Sequence, residues 1–392
     1  MISLNTLFED IRLDLKKKFG IDQSSDIRLV FLFNPSHEMA LVDNSDNYTP
    51  TANVRLMEHD LYHLPAVFAN DGDLIVENAN SVIRNTKGFE IKILMKVCIP
   101  FPWGWNRTAR NFLQKLGVSI NHMPDDCELD WIREFACRKF HAQYISEFIK
   151  QKTLEEWKDR FVGNHMEFID DVANLRDVSS SLIFKLPWSS SGRGIFVTEK
   201  LDNKTCGKLQ GFINKQGGFL KDVYYHKIID FAMEFYVFSD KRVKFAGYSL
   251  FQTDSNGKYG GNMVDKQDVI ESIIASNLNN DTLLPAIRDT HKKLIEMTMA
   301  GKYTGFIGID MMVVDTPEGR KCHPCVEINP RMNMGILAMA AHLRPFFFNE
   351  GGGGGSVVGD RRRSSTRTPP EVMRERGFHT CFNDRFISIK YS

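Results

Sequence analysis

The pattern of apolar runs changes near residue 182, and this change constrains the fold more than any other feature of the sequence. Before it, residues 27–33 form an apolar run typical of a buried strand, and a second strand near Ile99 precedes a helix with Asn106 as its N-cap. After it, β-type runs follow one another at residues 182–186, 194–198, 223–229, 233–238 and 243–251. The first pattern predicts an open α/β domain, and the second predicts antiparallel sheets.

The remaining runs complete a mixed α/β and α+β class. Residues 118–120 are predicted as a strand, and residues 131–150 and 154–161 as two helices. A long helical pattern over residues 283–299 precedes two further strands at 306–314 and 325–329. We therefore expect an α/β domain over residues 1–125 and a second domain with antiparallel sheets over residues 126–345.

Composition excludes several classes of protein. The chain has 392 residues, a formal net charge of +1, 42% hydrophobic and 25% charged residues, as an ordinary globular protein does. This balance gives no reason to expect nucleic acid or a membrane as a partner, and no apolar run approaches the roughly 18 residues of a membrane span. The seven cysteines are dispersed, which favours reduced thiols. We expect a cytoplasmic protein, and its oligomeric state is not indicated by the sequence.

Residues 346–392 differ in kind from the rest. They contain a glycine tract at 351–355 and a basic, polar stretch that begins at Arg361. A nucleic-acid or partner tail is one interpretation, but a disordered extension, an engineered linker or a sequence artefact is favoured. We therefore expect this segment to lie outside the fold.

The first candidate site is the loop between the runs at 182–186 and 194–198. Lys185 lies near the end of the first run, and a loop of small residues with Arg193 follows that run. Serines and glycines let successive backbone N–H groups converge on an anion, and the two cations supply compensating charge. The spacing is neither that of a Walker loop nor that of a dinucleotide fingerprint. By itself, the Gly-x-Gly hairpin is equally compatible with an ordinary tight turn.

The second candidate site is acidic. Asp310 alternates with apolar residues on one predicted strand, and Glu327 and Asn329 share a face of the next strand. The turn-rich segment between them predicts a hairpin that brings these three side chains together. They would supply the hard oxygen ligands that Mg²⁺ prefers. The alternative is a pair of exposed acids on a solvated sheet face.

Together these motifs resemble the ATP-grasp superfamily. The resemblance rests on Lys185-Leu-Pro with Ser-Gly-Arg-Gly at 191–194, on Gly308-Ile-Asp310, and on Glu327-Ile-Asn329-Pro-Arg331, and it covers about half of the chain. It implies an ATP-grasp domain over 126–345, built of two α+β lobes with antiparallel sheets and a hinge near 225–228, preceded by the α/β domain that commonly precedes this fold. It further implies ATP as the nucleotide, with one or two Mg²⁺ ions, or Mn²⁺, held by Asp310, Glu327 and Asn329.

The resemblance also implies roles for individual residues. Lys185, Arg193 and Arg331 would be catalytic, with Arg331 stabilising the transferred phosphoryl group or an acyl phosphate. Glu234 stands where the family often has an acidic residue, and residues 34–38 would help to shape an acceptor pocket. The nucleotide-binding residues would be Lys185, Ser189, Ser190, Ser191, Gly192, Arg193, Gly194, Tyr225, His226, Lys227 and Ile228.

The implied reaction is ATP-dependent, ADP-forming ligation of a carboxylate with an amine or similar nucleophile, with small-molecule or peptide substrates. A small-molecule kinase on the same fold and a catalytically inactive nucleotide-binding protein are the alternatives. Two departures from the family pattern stand out: no glutamate occurs near His226 in the hinge, and the carboxyl end runs into the glycine tract.

Three other groups of residues are weaker candidates. His59 and His63 have the i, i+4 spacing of a helical metal site, but a polar helix face is favoured. Cys322 and Cys325 form an isolated C-x-x-C, which lacks the further ligands of a zinc site and the following helix of a redox site. The aromatic residues between Phe101 and Trp105 suit packing better than ligand stacking.

Overall fold

The computed structural model describes residues 3–78, 81–86, 88, 90, 97–175, 181–189, 194–254, 257–280, 282–343, 378–383 and 386–391. In this part of the chain the strands form three sheets. The predicted class is confirmed, because an open α/β sheet is followed by two antiparallel sheets that belong to two α+β lobes.

The first sheet is the open α/β unit. Its central strand pairs in parallel with the second and fourth strands, while the third strand pairs antiparallel with the second. The four strands are β1 (Ile27–Leu32), β2 (Leu74–Glu77), β3 (Val82–Asn85) and β4 (Val97–Pro102). The helices of this unit are α1 (Leu4–Lys18), α2 (His37–Asp43), α3 (Ala52–Asp60) and α4 (Arg107–Lys115). Because β1 and β4 are parallel, the loops that follow them meet at one edge of the sheet.

A small antiparallel sheet forms one lobe of the second half. Its strands are β5 (Glu167–Ile169), β6 (Leu182–Lys185), β7 (Ile195–Thr198) and β8 (Phe219–Val223), in the order β5-β8-β6-β7. Buried apolar residues of this sheet pack together with Leu209 of the neighbouring helix. The helices before and beside this sheet are α5 (Asp126–Phe135), α6 (Arg138–Ile149) and α7 (Asn203–Gln216). Short 3₁₀ segments occur at Leu64–Phe68, Ile120–His122, Lys152–Arg160 and Val172–Asn174.

A larger antiparallel sheet forms the other lobe. Its strands are β9 (His226–Val237), β10 (Val243–Thr253), β11 (Tyr259–Met263), β12 (Gly305–Thr316), β13 (Gly319–Asn329), β14 (Phe378–Asn383) and β15 (Phe386–Tyr391), in the order β13-β12-β9-β10-β11-β15-β14. Its helices are α8 (Gln267–Leu278), α9 (Leu283–Thr298) and α10 (Met334–Leu343). One face packs on α6, α8 and α9, and the other shares a core with α10 and with the first unit.

The prediction that residues 346–392 lie outside the fold is wrong for the last strands. β15 pairs antiparallel with β11, and β14 pairs with β15. Apolar and polar residues alternate from Ile387 to Lys390 in β15, but the sequence of β14 shows no such alternation, and a glycine-rich and basic stretch precedes both strands. The glycine tract and the Arg361 stretch lie outside the described residues.

Among the described residues, no helix combines the length and the apolar character that a membrane span requires.

Candidate functional site

The acidic residues predicted to converge lie on the hairpin of β12 and β13. Asp310 and Glu327 are direct cross-strand partners, and Asn329 lies opposite Gly308. The Nδ2 atom of Asn329 donates a 3.1 Å hydrogen bond to Oδ2 of Asp310. Side chains alternate along a strand, so these three residues share one face of the sheet.

The two carboxyl groups differ in protonation because their surroundings differ. Burial and the neighbouring Glu327 raise the pKa of Asp310 well above its usual range. Burial also acts to raise the pKa of Glu327, but nearby cations, Arg138 first among them, bring it below its usual value. The surroundings therefore favour the proton on Asp310 over Glu327.

Arg138, the first residue of α6, contacts both the acidic site and the loop after β6. Its side chain is 3% exposed, and Nη2 lies 2.7 Å from Oε1 of Glu327. Its Nη1 atom donates to the carbonyl oxygen of Leu186 at 2.6 Å and to Oγ of Ser189 at 2.8 Å. Nη2 also donates to the carbonyl oxygen of Ser189 at 3.2 Å. The sequence prediction missed Arg138, because its partners lie 48 to 189 residues further along the chain.

Lys185 lies at the end of β6 and is buried. Burial, followed by the charge of Arg138, lowers the pKa of the Lys185 ammonium group, while Asp222 and Glu327 oppose that change. Ser189 is also buried, and Leu186 donates a 3.0 Å backbone hydrogen bond to Gly194, where the loop closes. Ser190, Ser191, Gly192 and Arg193 lie outside the described residues.

The predicted hinge lies where the chain passes from the small sheet to the large one. β8 ends at Val223 and β9 begins at His226. The hydroxyl of Tyr225 accepts a 3.2 Å hydrogen bond from the backbone of Gly163. Lys227 is exposed and binds the side chains of Asp230 and Thr253, and Ile228 packs against the core.

A buried Asp–His pair beside the hinge was not predicted. Nε2 of His323 lies 2.9 Å from Oδ2 of Asp222, and both side chains are almost fully buried. Asp222 belongs to the small sheet and His323 to the large one, so the pair joins the two lobes. The pair lies next to Tyr225, whose ring centroid is 5.8 Å from that of His323. Individually, neither residue carries a sequence pattern that distinguishes it from an ordinary strand residue.

Arg331 connects the acidic site to the first unit. Its Nη2 donates to Oδ1 of Asn329 at 3.0 Å, and its Nε is paired with Glu38, at the start of α2. The next residue, Met332, donates a 2.8 Å backbone hydrogen bond to Trp103 after β4. The loops after β1 and β4 therefore meet the segment that follows β13, and Glu38 is the residue of the 34–38 loop that contacts Arg331.

Glu234 lies deeper on the same face of the large sheet. Its carboxylate accepts hydrogen bonds from Nδ2 of Asn333 at 2.7 Å and from Oγ of Ser249 at 3.1 Å. Burial raises the pKa of Glu234 to about 7, against the smaller opposing effect of those hydrogen bonds. The charge of Glu234 also acts to raise the pKa of Asp310, so the two carboxyl groups are close enough to influence each other.

The acidic site has the donor set of a magnesium site. Asp310 and Glu327 bring two carboxylates together, and Arg138 engages Oε1 of Glu327. The Oδ1 atom of Asn329 accepts from Arg331, so this amide would have to rotate to offer its oxygen to the same cation. The raised pKa of Asp310 reflects an electrostatic cost that a bound cation would remove. The residues present therefore fit a divalent cation.

The weaker metal candidates gain no support. No group of three or more His, Cys, Asp or Glu side chains suited to a metal occurs among the described residues. His59 contacts Asp60 and has a side chain that is 54% exposed. Cys322 and Cys325 are fully buried in β13, and burial raises the pKa of both thiols above the usual range.

Comparisons with known proteins found similarity among solved structures. No family model matches the chain, and no curated protein matches it. The biotin carboxylase–β-γ-ATP complex from Campylobacter jejuni matches at 11% identity and a TM-score of 0.43, over 87% of this chain and 69% of that chain. D-alanine–D-alanine ligase from Helicobacter pylori matches at 12% identity and a TM-score of 0.41, over 81% and 97%.

N5-carboxyaminoimidazole synthetase from Staphylococcus aureus, complexed with ADP, matches at 10% identity and a TM-score of 0.39, over 80% of this chain and 77% of that chain. Similarity at this level does not assign a function.

Proposed function

We propose that the chain is an ATP-grasp ligase, which uses ATP and Mg²⁺ to activate a carboxylate as an acyl phosphate for attack by an amine or similar nucleophile. The observation that supports this most directly is electrostatic. The carboxylate of Glu327 lies within the influence of three cationic side chains, Arg138, Lys185 and Arg331. Three cationic side chains that converge on one acidic pair suit a polyanion with a divalent cation, as a nucleotide triphosphate with Mg²⁺ would be.

In this proposal the phosphates lie between Lys185 and Arg331. Lys185 and the loop at 189–194, with Arg193, would bind the triphosphate, and Arg138 would hold the start of that loop against Glu327. The backbone of residues 225–228, where the chain enters β9 from the small sheet, would bind the adenine edge. Asp310, Glu327 and Asn329 would hold Mg²⁺, which neutralises charge on the phosphate oxygens when bound.

The proposed reaction has two bond exchanges. An oxygen of the acceptor carboxylate attacks the γ-phosphorus of ATP and the bond between that phosphorus and the bridging oxygen breaks, which releases ADP and forms an acyl phosphate. The nucleophile then attacks the acyl carbon, the carbon–oxygen bond to phosphate breaks, and the nucleophile loses a proton to solvent. Lys185 and Arg331 contribute by stabilising negative charge on the transferred group, in a site that must exclude water from the intermediate.

The acceptor would bind beside Arg331, where the first unit meets the large sheet. A cavity of about 60 Å³ is located there, and Arg331, Trp103, Trp105 and Tyr303 are among the residues that line it. A volume of about 60 Å³ would take only one end of an acceptor, and the guanidinium group of Arg331 at its wall suits the carboxylate end.

Calorimetric titration of the full chain with ATP, with and without Mg²⁺, tests the nucleotide site. Mg²⁺ should strengthen binding in the wild type. In D310N and in E327Q, the ratio of ATP affinity with Mg²⁺ to that without Mg²⁺ should fall at least about tenfold, because each substitution removes a negative charge from the cation site. E318Q is a matched control, since Glu318 lies on the turn of the same hairpin and its side chain is 67% exposed.

Two outcomes contradict the proposal. If D310N and E327Q lose the same affinity with and without Mg²⁺, the metal assignment is wrong. If the folded chain binds no nucleotide, the proposed enzyme activity is wrong. Ligase and kinase are distinguished by screening carboxylates with and without amines for ADP release. ADP release that requires the amine indicates ligation, and release without it indicates a kinase.

A further inference from the structure

Glu234 is a buried acidic residue to which the proposed chemistry gives no part. It lies in the middle of β9 and is 1% exposed. Its cross-strand partners are glycines on both sides, Gly308 on β12 and Gly247 on β10. A buried carboxyl group costs free energy unless its hydrogen bonds are satisfied, so its position in the middle of the sheet calls for an explanation.

The hydrogen bonds of Glu234 lead to the start of helix α10. Oε2 of Glu234 accepts from Nδ2 of Asn333 at 2.7 Å. The other end of that side chain, Oδ1 of Asn333, accepts from the backbone N–H groups of Gly335 at 2.8 Å and Ile336 at 3.1 Å. Both ends of the Asn333 amide are therefore engaged, which fixes Asn333 relative to the helix and to the sheet.

The segment that precedes Asn333 carries two residues of the proposed site. Asn329 ends β13, and Arg331 follows it after one proline. Arg331 is tied to Asn329 and Glu38, and Met332 is tied to Trp103. Asn333 is the last anchor of this segment before α10 begins, and it is the one that reaches the interior of the sheet.

We infer that Glu234 and Asn333 form a brace that positions Asn329 and Arg331 for the Mg²⁺–nucleotide complex. This inference rests on the proposed function. Glu234 contacts neither the nucleotide nor the metal in this arrangement, and it acts only through Asn333. It is therefore a positioning residue.

The packing around the brace supports this role. A Cβ atom at Gly308 would lie 2.3 Å from Nδ2 of Asn333 and 2.7 Å from Oε2 of Glu234. A Cβ atom at Gly335 would lie 2.3 Å from Oε1 of Glu234 and 2.6 Å from Oγ of Ser249. Two glycines thus leave just enough room for the brace, and no ligand fits between its members.

The test measures how strongly Mg²⁺ enhances ADP binding, by calorimetry on the full chain. E234A and N333A should each reduce this enhancement by about tenfold, while binding of ADP without Mg²⁺ changes little. A tenfold change corresponds to about 1.4 kcal/mol, which is the size expected for one lost buried hydrogen bond. E234Q should keep most of it, because a glutamine carbonyl can accept from Asn333 while its amide donates to Ser249. The double variant E234A/N333A should be no worse than either single variant.

D14A is the matched control for E234A. Asp14 is also a buried carboxylate that accepts from a serine, Ser239, but it lies on α1 at the far end of β9. It should lower stability without changing the enhancement by Mg²⁺. If Glu234 had a purely structural role, E234A and D14A would affect the enhancement by Mg²⁺ in the same way, and that result would overturn the inference. An E234Q variant that is as impaired as E234A would also overturn it.

Hydrogen exchange without nucleotide separates this inference from the proposed function. Amides of residues 332–336 should exchange faster in E234A and N333A than in the wild type and D14A. Unchanged exchange would overturn the brace itself, whatever the nucleotide data show. If exchange is faster but wild-type ADP binding shows no enhancement by Mg²⁺, the proposed function fails, and with it the role of the brace in that function.

Discussion

Arg138 is the residue that joins the acidic hairpin to the loop after β6. Its guanidinium group binds Glu327, the carbonyl oxygen of Leu186 and both oxygen atoms of Ser189. A guanidinium group suits this task because its donors diverge in one plane and it stays charged when buried. Arg138 thereby ties a proposed metal ligand to the proposed phosphate-binding loop.

Replacement of Arg138 should therefore destabilise the fold. R138M leaves Glu327 without its ion-pair partner and should cost about 2–3 kcal/mol in unfolding free energy. This is less than the roughly 3–5 kcal/mol for breaking a fully buried pair, because the Glu327 side chain is 28% exposed. R138K should recover part of this loss, since one ammonium group cannot reach all the partners. Urea unfolding of the three proteins measures both effects.

R107M is the control for Arg138. Like Arg138, Arg107 forms ion pairs, but the side chains of its partners, Asp126 and Asp130, are 66% and 62% exposed. Its loss should cost less than about 1 kcal/mol, as exposed pairs do. Equal destabilisation by R107M and R138M would contradict the importance of the buried contacts.

Glu234 gives a pH dependence of stability. Because burial raises its pKa from 4.5 to about 7, the folded protein binds this proton more tightly than the unfolded chain. This tighter proton binding stabilises the folded state by on the order of 3 kcal/mol. The stabilisation is fully present below pH 4.5 and is lost as the pH rises to about 7. E234Q has no such proton, so the unfolding free energy of the wild type should fall relative to E234Q between pH 5 and pH 8. Parallel stability curves for the two proteins would contradict the raised pKa.

At the scale of elements, local signals predicted some boundaries well and others poorly. Asn106 was predicted as an N-cap, and its side chain does accept from the backbone of Ala109 at the start of α4. The strand predicted at 118–120 is wrong: a 3₁₀ turn forms at Ile120–His122, where the Ser119 side chain accepts from Asn121. A run this short does not distinguish a strand from a turn.

Tertiary contacts explain the larger differences between the predicted and observed elements. The helix predicted over 131–150 is two helices, since it breaks before Arg138, whose backbone N–H donates to the carbonyl oxygen of Pro187 at 3.0 Å. The acidic hairpin was predictable from alternation and a turn. The roles of Arg138, Asp222 and His323 were not predictable in this way. Arg138 binds Glu327, and Asp222 binds His323, over more than 100 residues of sequence, and no periodic pattern indicates these contacts.

The packing of the brace between strands gives a prediction about Gly308. G308A should cost about 1–3 kcal/mol, because the added methyl group overlaps Asn333 and Glu234. Removal of the Glu234 side chain creates room, so the penalty should be smaller in the E234A background. A double-mutant cycle by urea unfolding measures this coupling.

G211A is the control for Gly308. Gly211 lies within α7, and a Cβ atom there would meet nothing within 4 Å. Alanine should stabilise that helix by about 0.5–1 kcal/mol in both backgrounds. Additive effects of G308A and E234A would contradict the close packing seen between β9 and β12.

At the scale of the whole molecule, one buried cluster joins parts that are distant in sequence. Phe8 on α1, Phe101 on β4 and Phe306 on β12 are in mutual ring contact. The same cluster includes residues of α10 and Ile387 of β15. The first unit, the large sheet and the carboxyl-terminal hairpin therefore share a core, and we expect them to unfold together.

The hairpin of β14 and β15 should accordingly be part of the cooperative fold. Ile387 is fully buried and pairs with Asn262 on β11. I387A should lower the unfolding free energy by about 2–5 kcal/mol, whereas K390A, at an exposed position of the same strand, should change it by less than about 0.5 kcal/mol. Truncation after Leu343 removes both strands and leaves β11 as an unpaired edge, so that form should melt at a lower temperature and aggregate more readily. If I387A and the truncated chain instead unfold at the temperature of the full chain, the hairpin contributes nothing to the core, and β11 is a natural edge of the sheet.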